Sequence, residues 1–163
     1  MPLVLLGFMG VGKTTTAQLL DMPLYDMDQI IEERIGMSIA EFFNVEGEVA
    51  FRQIESEILQ ELLNLPVNCL LSTGGGVVKS AKNRELLLNN ISNNILLTAS
   101  FDTAYNRIKN DKQANRPLFL QHSKEEFEAI YKERMDLYTG LAATIIDTDQ
   151  LTPEQVARKI LCK

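Results

Sequence analysis

The sequence contains no tryptophan, one histidine and two cysteines. Cys69 and Cys162 lie far apart, and there is neither a CxxC motif nor a cluster of cysteine and histidine. A zinc site needs such a cluster, and a Cys-His or Ser-His-Asp nucleophile system cannot be built convincingly around His122 alone. The scarcity of these residues therefore excludes three common kinds of catalytic or metal site.

Positive charge and long apolar runs are also scarce. The 163 residues include 16 Lys and Arg against 22 Asp and Glu, a net charge of −6, which argues against binding to nucleic acid or to anionic lipid. No apolar run approaches the roughly 18 residues of a membrane span, and the run at residues 2–6 is too short for a signal-peptide core. We expect a cytoplasmic protein with reduced thiols and no nucleic-acid or membrane partner.

The order of apolar runs predicts an α/β domain with a mainly parallel sheet. No repeat or Pro/Gly/Ser-rich linker divides the chain, so we expect a single domain over residues 1–163. The predicted strands are residues 3–6, 24–26, 67–72, 95–98 and 143–146. Helices are predicted from Lys13, over 29–34, from Ser38, over about 48–63, after Ser80, after Ser123 and after Thr152. Residues 111–122 show neither the helical nor the strand period of apolar residues and are predicted to form a mobile loop.

The residues after the first strand fit the phosphate-binding pattern G-x-x-x-x-G-K-[ST]. Glycines let successive backbone N–H groups point at phosphate oxygens, while Lys13 bridges the β- and γ-phosphates and the Thr14 hydroxyl binds Mg²⁺. The alternative is a glycine-rich turn that binds nothing. We therefore expect a nucleoside triphosphate with Mg²⁺ at this loop, whose residues are Gly7, Phe8, Met9, Gly10, Val11, Gly12, Lys13 and Thr14.

Two further segments follow predicted strands, where ligands bind in open α/β sheets. Asp26 and Asp28 follow the second strand; one suits the water shell of Mg²⁺ and the other a substrate hydroxyl, although Asp28 could instead be a helix N-cap. The third strand leads to Thr73 and the glycine run at residues 74–76. This run indicates close approach of another group to the backbone, or else a tight turn into the helix that Ser80 caps. Residues 145–147, which end in Asp147, are interpreted as a strand end rather than as the source of a metal-binding aspartate.

Three arginines are candidates for two-point contacts with a carboxylate or phosphate. Arg52 has Glu48 and Glu55 within one helical turn, so a solvated ion pair is the simpler interpretation. Arg134, on a predicted helix, could be a surface charge, and Arg116, before a proline in the loop, could be solvated. Each simpler interpretation is favoured when an arginine is considered by itself.

Together these features resemble the shikimate kinase family from residue 3 to about residue 142. The resemblance implies a nucleoside-monophosphate-kinase-like P-loop fold with a five-stranded parallel sheet of order 2-3-1-4-5, a substrate-binding region at about 28–64 and a lid at about 111–122. The matching segments are GFMGVGKTT, Asp26-x-Asp28, IEERIGMSIAEFF with Gly47-Glu48 and Phe51-Arg52, Thr73 with the three glycines, Asn115-Arg116-Pro117-Leu118, and Glu133-Arg134 with Leu137-Tyr138.

The resemblance also implies the reaction and the site residues. ATP phosphorylates the 3-hydroxyl of shikimate, the fifth step of the pathway to chorismate and the aromatic amino acids, in an enzyme that we expect to be monomeric. The phosphates of ATP would contact Gly10, Val11, Gly12, Lys13, Thr14, Thr15 and the lid residue Arg116, and Arg107 and Pro153 would flank the adenine. Mg²⁺ would be held by Thr14 and, through water, by Asp26. Shikimate would contact Asp28, Arg52, Gly74, Gly75, Gly76 and Arg134, while Lys13, Asp28 and Arg116 would carry the catalysis.

The sequence departs from the family pattern at two places. Lys13 and Asp26 are 13 positions apart, about four fewer than is usual in the family, which corresponds to roughly one turn of the first helix. Tyr138, Thr139 and Gly140 stand where relatives commonly carry charged residues, which leaves the end of the Arg134 helix less defined.

Two other functions compete with this interpretation. A kinase for another polyol acid, such as gluconate, would share the phosphate loop but need a different acceptor pocket. A nucleotide-dependent switch would transfer nothing to a metabolite, but the chain has no Asn-Lys-x-Asp guanine-recognition motif. The combination of Asp28, Arg52 and Arg134 favours shikimate over both alternatives.

Overall fold

A parallel sheet forms the centre of the molecule. The computed structural model describes residues 1–111 and 117–162, and within them five strands pair in the order β2-β3-β1-β4-β5, as predicted. Each neighbouring pair is parallel. The strands are β1 (Leu3–Leu6), β2 (Leu24–Asp26), β3 (Leu70–Ser72), β4 (Asn94–Thr98) and β5 (Thr144–Asp147).

The predicted third strand is too long at its start. Residues 67–72 were expected to be extended, but β3 begins at Leu70. The ladder starts where Leu3 donates to the carbonyl of Cys69, because the neighbouring strands offer no earlier partner. Val67 is exposed before this point. The expectation that residues 145–147 mark a strand end is confirmed, since β5 ends at Asp147.

Helices cover both faces of the sheet. Side-chain caps define many of their starts: Ser38, Ser123 and Thr152 each form a capping box, and Ser80 accepts from the amide of Asn83. These four predicted starts are confirmed. The helices are α1 (Lys13–Ala17), α2 (Met27–Ile35), α3 (Ile39–Leu63), α4 (Ala81–Asn89), α5 (Phe101–Asn110), α6 (Pro117–Leu120), α7 (Lys124–Tyr138) and α8 (Pro153–Leu161).

The helices differ from the prediction in three places. Helix α2 begins at Met27, two residues earlier than expected, because Asp26 caps it. Helix α5, capped by Ser100, was not predicted. The segment 111–122 is not entirely irregular, since α6 lies within it. Of the predicted lid residues, 112–116, which include Arg116, lie outside the described residues. In α3, the non-helical backbone of Gly47 separates the two helical segments that the sequence predicts.

A cluster of aromatic rings joins α5, α6 and α7 to the start of the phosphate loop. The ring of Phe127, which is fully buried, lies 5.5 Å from Phe8 and 5.5 Å from Phe119 between centroids. Phe101 and Tyr105 on α5 lie 6.1 Å and 6.3 Å from the same ring. Phe127 is therefore the centre of the packing behind the loop. In the described residues no helix is both long and apolar enough to cross a membrane.

Substitution of Phe127 by alanine tests the importance of this cluster. Loss of the ring leaves a cavity with contacts missing on several sides, so we expect Phe127→Ala to lower the free energy of unfolding by about 3–5 kcal/mol. Leu161, 67% exposed near the end of α8, provides the control, and Leu161→Ala should change this free energy by less than about 0.5 kcal/mol. Denaturant unfolding measures both, and equal effects would contradict the central position of Phe127.

Candidate active site

The phosphate loop connects β1 to α1. Gly10 and Gly12 adopt left-handed backbone angles, with φ of 81° and 94°, and a Cβ on Gly10 would lie 2.7 Å from the carbonyl oxygen of Ala104. Both positions therefore require glycine. Gly12 is the N-cap of α1 and provides no side-chain cap, so no side chain of residue 12 covers the first amides of the helix.

Lys13 folds back across this loop. Its Nζ donates to the carbonyl oxygens of Gly7 at 2.5 Å and Phe8 at 3.1 Å. The ammonium group therefore lies over the loop rather than in bulk solvent.

A cavity of about 460 Å³ opens beside the loop. The loop residues Gly10, Val11, Gly12, Lys13, Thr14 and Thr15 line it, and so do Arg107 and Pro153. The residues predicted to bind ATP phosphates and to flank adenine are thus brought together, apart from Arg116.

Arg107 joins the loop to the far wall of this cavity. Its Nη1 donates to Thr148 Oγ1 at 2.9 Å and to the carbonyl oxygens of Gly10 and Val11, both at 3.4 Å. Its Nη2 donates to the carbonyl oxygen of Thr148 at 3.0 Å. Thr148 is a site residue that the sequence analysis missed, although its place directly after β5 is a position where ligands bind in such sheets.

Asp26, not Asp28, caps helix α2. Its Oδ1 accepts from the amides of Asp28 at 3.0 Å and Gln29 at 3.2 Å. The simpler interpretation of Asp28 as an N-cap is therefore wrong. The carboxyl group of Asp28 is instead directed at the glycine run, where a Cβ on Gly74 would lie 2.7 Å from Asp28 Oδ1.

The surroundings of Asp28 favour its neutral form. The residue as a whole is exposed, while its Oδ1 lies close to the backbone of Gly74. Desolvation of the carboxyl group and the negative charge of Asp26 raise the pKa of Asp28 to about 6, while the positive charge of Lys13 acts in the opposite direction. Asp28 is therefore electrostatically connected to the phosphate loop.

Each glycine of the run at residues 74–76 has a different close neighbour. Asp28 approaches Gly74, a Cβ on Gly75 would lie 3.3 Å from the amide nitrogen of Met9, and one on Gly76 would lie 2.7 Å from Nη2 of Arg52. The expected close approach to the backbone is thus confirmed. The alternative, a turn toward the helix capped by Ser80, is also present, since the run leads through a short 3-10 turn into α4.

Arg52 makes the helical ion pairs that its sequence neighbours suggest. Its Nη1 lies 2.7 Å from Glu55 Oε1 and its Nε lies 3.5 Å from Glu48 Oε1. The Glu55 side chain is buried, and this burial raises the pKa of Glu55 while Arg52 lowers it. Arg52 is nevertheless not a solvated charge, because its guanidinium lies 5.1 Å from the ring centroid of Phe51 and faces Gly76.

Arg134 is buried, with an exposure of 7%, so its interpretation as a surface charge is wrong. Its Nη1 donates to the carbonyl oxygen of Gly75 at 2.9 Å. Burial lowers the pKa of Arg134, and the positive charge of Arg52 lowers it further. Two guanidinium groups therefore lie beside adjacent glycines, an arrangement suited to an anion.

Tyr138 was noted in the sequence without a role. The structure buries it completely at the end of α7, one turn after Arg134. Its hydroxyl lies 2.9 Å from the carbonyl oxygen of Gly7 and 3.0 Å from that of Gly75. The end of the Arg134 helix is thus well defined. The signal that could have identified Tyr138 is its spacing of one helical turn from Arg134.

The oxygen ligands at the loop suit Mg²⁺. Thr14 lines the cavity, and Asp26 ends β2, an edge strand that β3 separates from β1. Among residues 1–111 and 117–162 there is no group of three or more acidic, histidine or cysteine side chains that could hold a metal. This donor set fits an ion that takes most of its ligands from phosphate and water.

Comparisons with known proteins give matches over nearly the whole chain. Residues 9–163 match the family model described as Shikimate kinase. The shikimate kinase of Streptococcus suis is 71% identical over 163 residues, 100% of both chains, and that of Streptococcus thermophilus is 58% identical over 159 residues, 98% of both chains. The structure of the Acinetobacter baumannii shikimate kinase in complex with shikimate matches with a TM-score of 0.85 at 36% identity, covering 98% of this chain and 90% of that one.

The raised pKa of Asp28 predicts how stability depends on pH. The folded protein binds the proton more tightly than the unfolded chain, so the stabilisation is present below about pH 4 and is lost as pH rises through about 6. Asp28→Asn removes this loss. Without nucleotide or metal, its melting temperature relative to the parent should therefore be higher near neutral pH than near pH 4. The exposed Glu46→Gln controls for removal of one negative charge, and a pH-independent difference for Asp28→Asn would contradict the prediction.

Proposed function

The chain belongs to the shikimate kinase family, and we propose that the site described above carries out the family's reaction with the residue roles given below. The enzyme transfers the γ-phosphoryl group of ATP to the 3-hydroxyl of shikimate, giving shikimate 3-phosphate and ADP. Mg²⁺ accompanies ATP. This is the fifth step of the pathway to chorismate and the aromatic amino acids.

The position of Asp28 is the observation that carries the assignment of roles. Asp28 lies against Gly74 in the loop that Arg52 and Arg134 approach, and its pKa responds to Lys13 in the phosphate loop. A carboxyl group at this junction can face an acceptor hydroxyl and the transferred phosphoryl group together. The arrangement therefore supports transfer between two small molecules bound side by side.

ATP occupies the cavity beside the phosphate loop in this proposal. Backbone N–H groups and Lys13 bind its phosphates, while Arg107 and Pro153 flank the adenine on the far wall. Thr14 and, through water, Asp26 hold Mg²⁺. When bound, Mg²⁺ neutralises charge on the β- and γ-phosphate oxygens.

Shikimate binds beside the glycine run at residues 74–76 in this proposal. Arg52 and Arg134 bind its carboxylate from adjacent positions along the glycine run, since two guanidinium groups can form several charge-assisted hydrogen bonds with one carboxylate. Asp28 contacts the ring hydroxyls, and Gly75 offers its backbone N–H. The acceptor must compete with Glu48 and Glu55 for Arg52, so binding is an exchange of carboxylate partners.

Catalysis then consists mainly of alignment and charge neutralisation. Phosphoryl transfer passes through a loose transition state, so positioning of the reactants supplies much of the rate. Asp28 orients the 3-hydroxyl and accepts its proton late in the transfer. Lys13 follows the charge on the moving phosphoryl group, and Arg116, which lies outside the described residues, takes the lid role that the family resemblance implies.

We further propose that the chain acts as one domain over residues 1–163, as a cytoplasmic monomer without a nucleic-acid or membrane partner. The net charge of −6 supports the absence of polyanionic partners. Residues 28–64 form the substrate-binding region in this proposal, and residues 111–122 form the lid that limits hydrolysis of ATP by water.

An acceptor panel tests the proposed function. ADP release is measured with shikimate, gluconate and nucleoside monophosphates as separate acceptors, for the parent and for Asp28→Asn. We expect ADP release only when shikimate is the acceptor. Asp28→Asn should lower kcat by about 100-fold or more, with little change in ATP affinity. Preference for gluconate would favour a kinase for another polyol acid. ADP release that does not depend on the acceptor would favour a nucleotide switch. Full turnover by Asp28→Asn would contradict the role assigned to Asp28.

Gly74→Ala tests whether the glycine run positions Asp28. The new methyl group would lie 2.7 Å from Asp28 Oδ1, so the carboxyl group must move. We expect kcat/KM for shikimate to fall by about 10-fold or more, because small displacements of an aligned group are costly to rate. The KM for ATP should change little, and steady-state kinetics with each substrate varied measure the two values.

Gly140→Ala provides the matched control. A Cβ there meets no atom within 4 Å, but the φ of 79° is strained for alanine. This variant should lose stability, by roughly 1–2 kcal/mol, and keep the shikimate kinetics of the parent. If Gly74→Ala matched the parent in kcat/KM, the glycine run would not control the position of Asp28.

A further inference from the structure

We infer that Tyr138 is a positioning residue that couples nucleotide binding to shikimate binding, because its hydroxyl joins the phosphate loop to the glycine run. The inference rests on the proposed function, specifically on Lys13 as the phosphate ligand and Arg134 as the carboxylate ligand. Neither substrate is expected to touch Tyr138 itself, since its side chain is fully buried behind both loops.

A continuous chain of hydrogen bonds connects the two cations. Lys13 Nζ donates to the carbonyl oxygen of Gly7 at 2.5 Å, and the Tyr138 hydroxyl lies 2.9 Å from the same oxygen. The hydroxyl also lies 3.0 Å from the carbonyl oxygen of Gly75, to which Arg134 Nη1 donates at 2.9 Å. Each carbonyl is thus shared between Tyr138 and one substrate-binding cation.

The hydroxyl of Tyr138 has one proton for two acceptors. It can divide this proton between the carbonyls or donate fully to one of them, but it cannot donate fully to both. Burial raises the pKa of Tyr138 well above its ordinary range, so the phenol stays protonated and remains a donor at every pH at which the enzyme works. The distribution of this one proton therefore links the two loops.

Binding of ATP changes that distribution. When Lys13 turns toward the phosphates, the Gly7 carbonyl loses one of its two side-chain donors and depends more strongly on the Tyr138 hydroxyl. The Tyr138 proton then moves toward Gly7, and the Gly75 carbonyl depends more strongly on Arg134. Arg134 and the glycine run are thereby held in the position that receives the shikimate carboxylate. Because coupling between two binding sites is reciprocal, shikimate must likewise strengthen nucleotide binding.

Tyr138→Phe tests this coupling by removing only the hydroxyl. Calorimetry gives the Kd of shikimate without nucleotide and with saturating Mg²⁺ and AMP-PNP, a non-hydrolysable ATP analogue. In the parent we expect the nucleotide to lower this Kd by about 5-fold or more. In Tyr138→Phe we expect the ratio of the shikimate Kd without nucleotide to the Kd with nucleotide to fall to within about twofold of one. The Kd of shikimate without nucleotide should change less than this ratio.

Tyr131→Phe is the matched control. The Tyr131 hydroxyl also donates to a backbone carbonyl, that of Ala99 at 2.6 Å, but it lies outside the chain between Lys13 and Arg134. This variant should lose a similar hydrogen bond and keep the parent's Kd ratio. A merely structural role for Tyr138 would make the two variants equivalent in the ratio, and that result would overturn the inference.

The parent alone provides a second measurement in case Tyr138→Phe does not fold. Shikimate without nucleotide should change hydrogen–deuterium exchange at the amides of residues 7–12, and an unchanged pattern would overturn the inference. The same titrations separate it from the proposed function. A parent that binds both ligands with a Kd ratio of one overturns the coupling alone, whereas a parent that binds no shikimate overturns the proposed function as well.

Discussion

Close packing around three successive glycines is the constraint on which the site depends. The missing side chains at residues 74–76 allow Asp28, the phosphate-loop backbone and Arg52 to approach one short segment from different directions. The carbonyl of Gly75 receives Arg134 and lies within hydrogen-bond distance of Tyr138. Glycine is entropically costly in a folded chain, so three in succession indicate that this junction is worth more to function than the stability it loses.

The site concentrates positive charge, although the chain as a whole carries a net negative charge. An acidic chain encloses a small number of cations, and each of these has a protein partner in the absence of substrate: loop carbonyls for Lys13, carboxylates for Arg52 and a backbone oxygen for Arg134. These partners satisfy buried or half-buried cations that would otherwise be unfavourable. Under the proposed function, the site therefore binds anions by exchange, which favours ligands with oxygens in matching positions.

Local patterns were sufficient to predict much of the fold. The bounds of β1 and β2 and the caps at Ser38, Ser80, Ser123 and Thr152 follow from short-range chemistry, and the structure agrees with them. The burial of Arg134 could not be predicted in this way, because its helical neighbours are typical of a solvated surface and its acceptor is 59 positions away. For the same reason Thr148 escaped notice and Tyr138 was given no role, since their partners are brought close only by the fold.

The position of Lys13 has a consequence for the end of the reaction. Its ammonium group already has two oxygen acceptors within its own loop, from Gly7 and Phe8. Under the proposed function, the lysine returns to these carbonyls when ADP leaves, so the protein itself competes with the departing phosphates. Product release is then a replacement of one set of oxygens by another, and the loop regains its starting geometry in the same step.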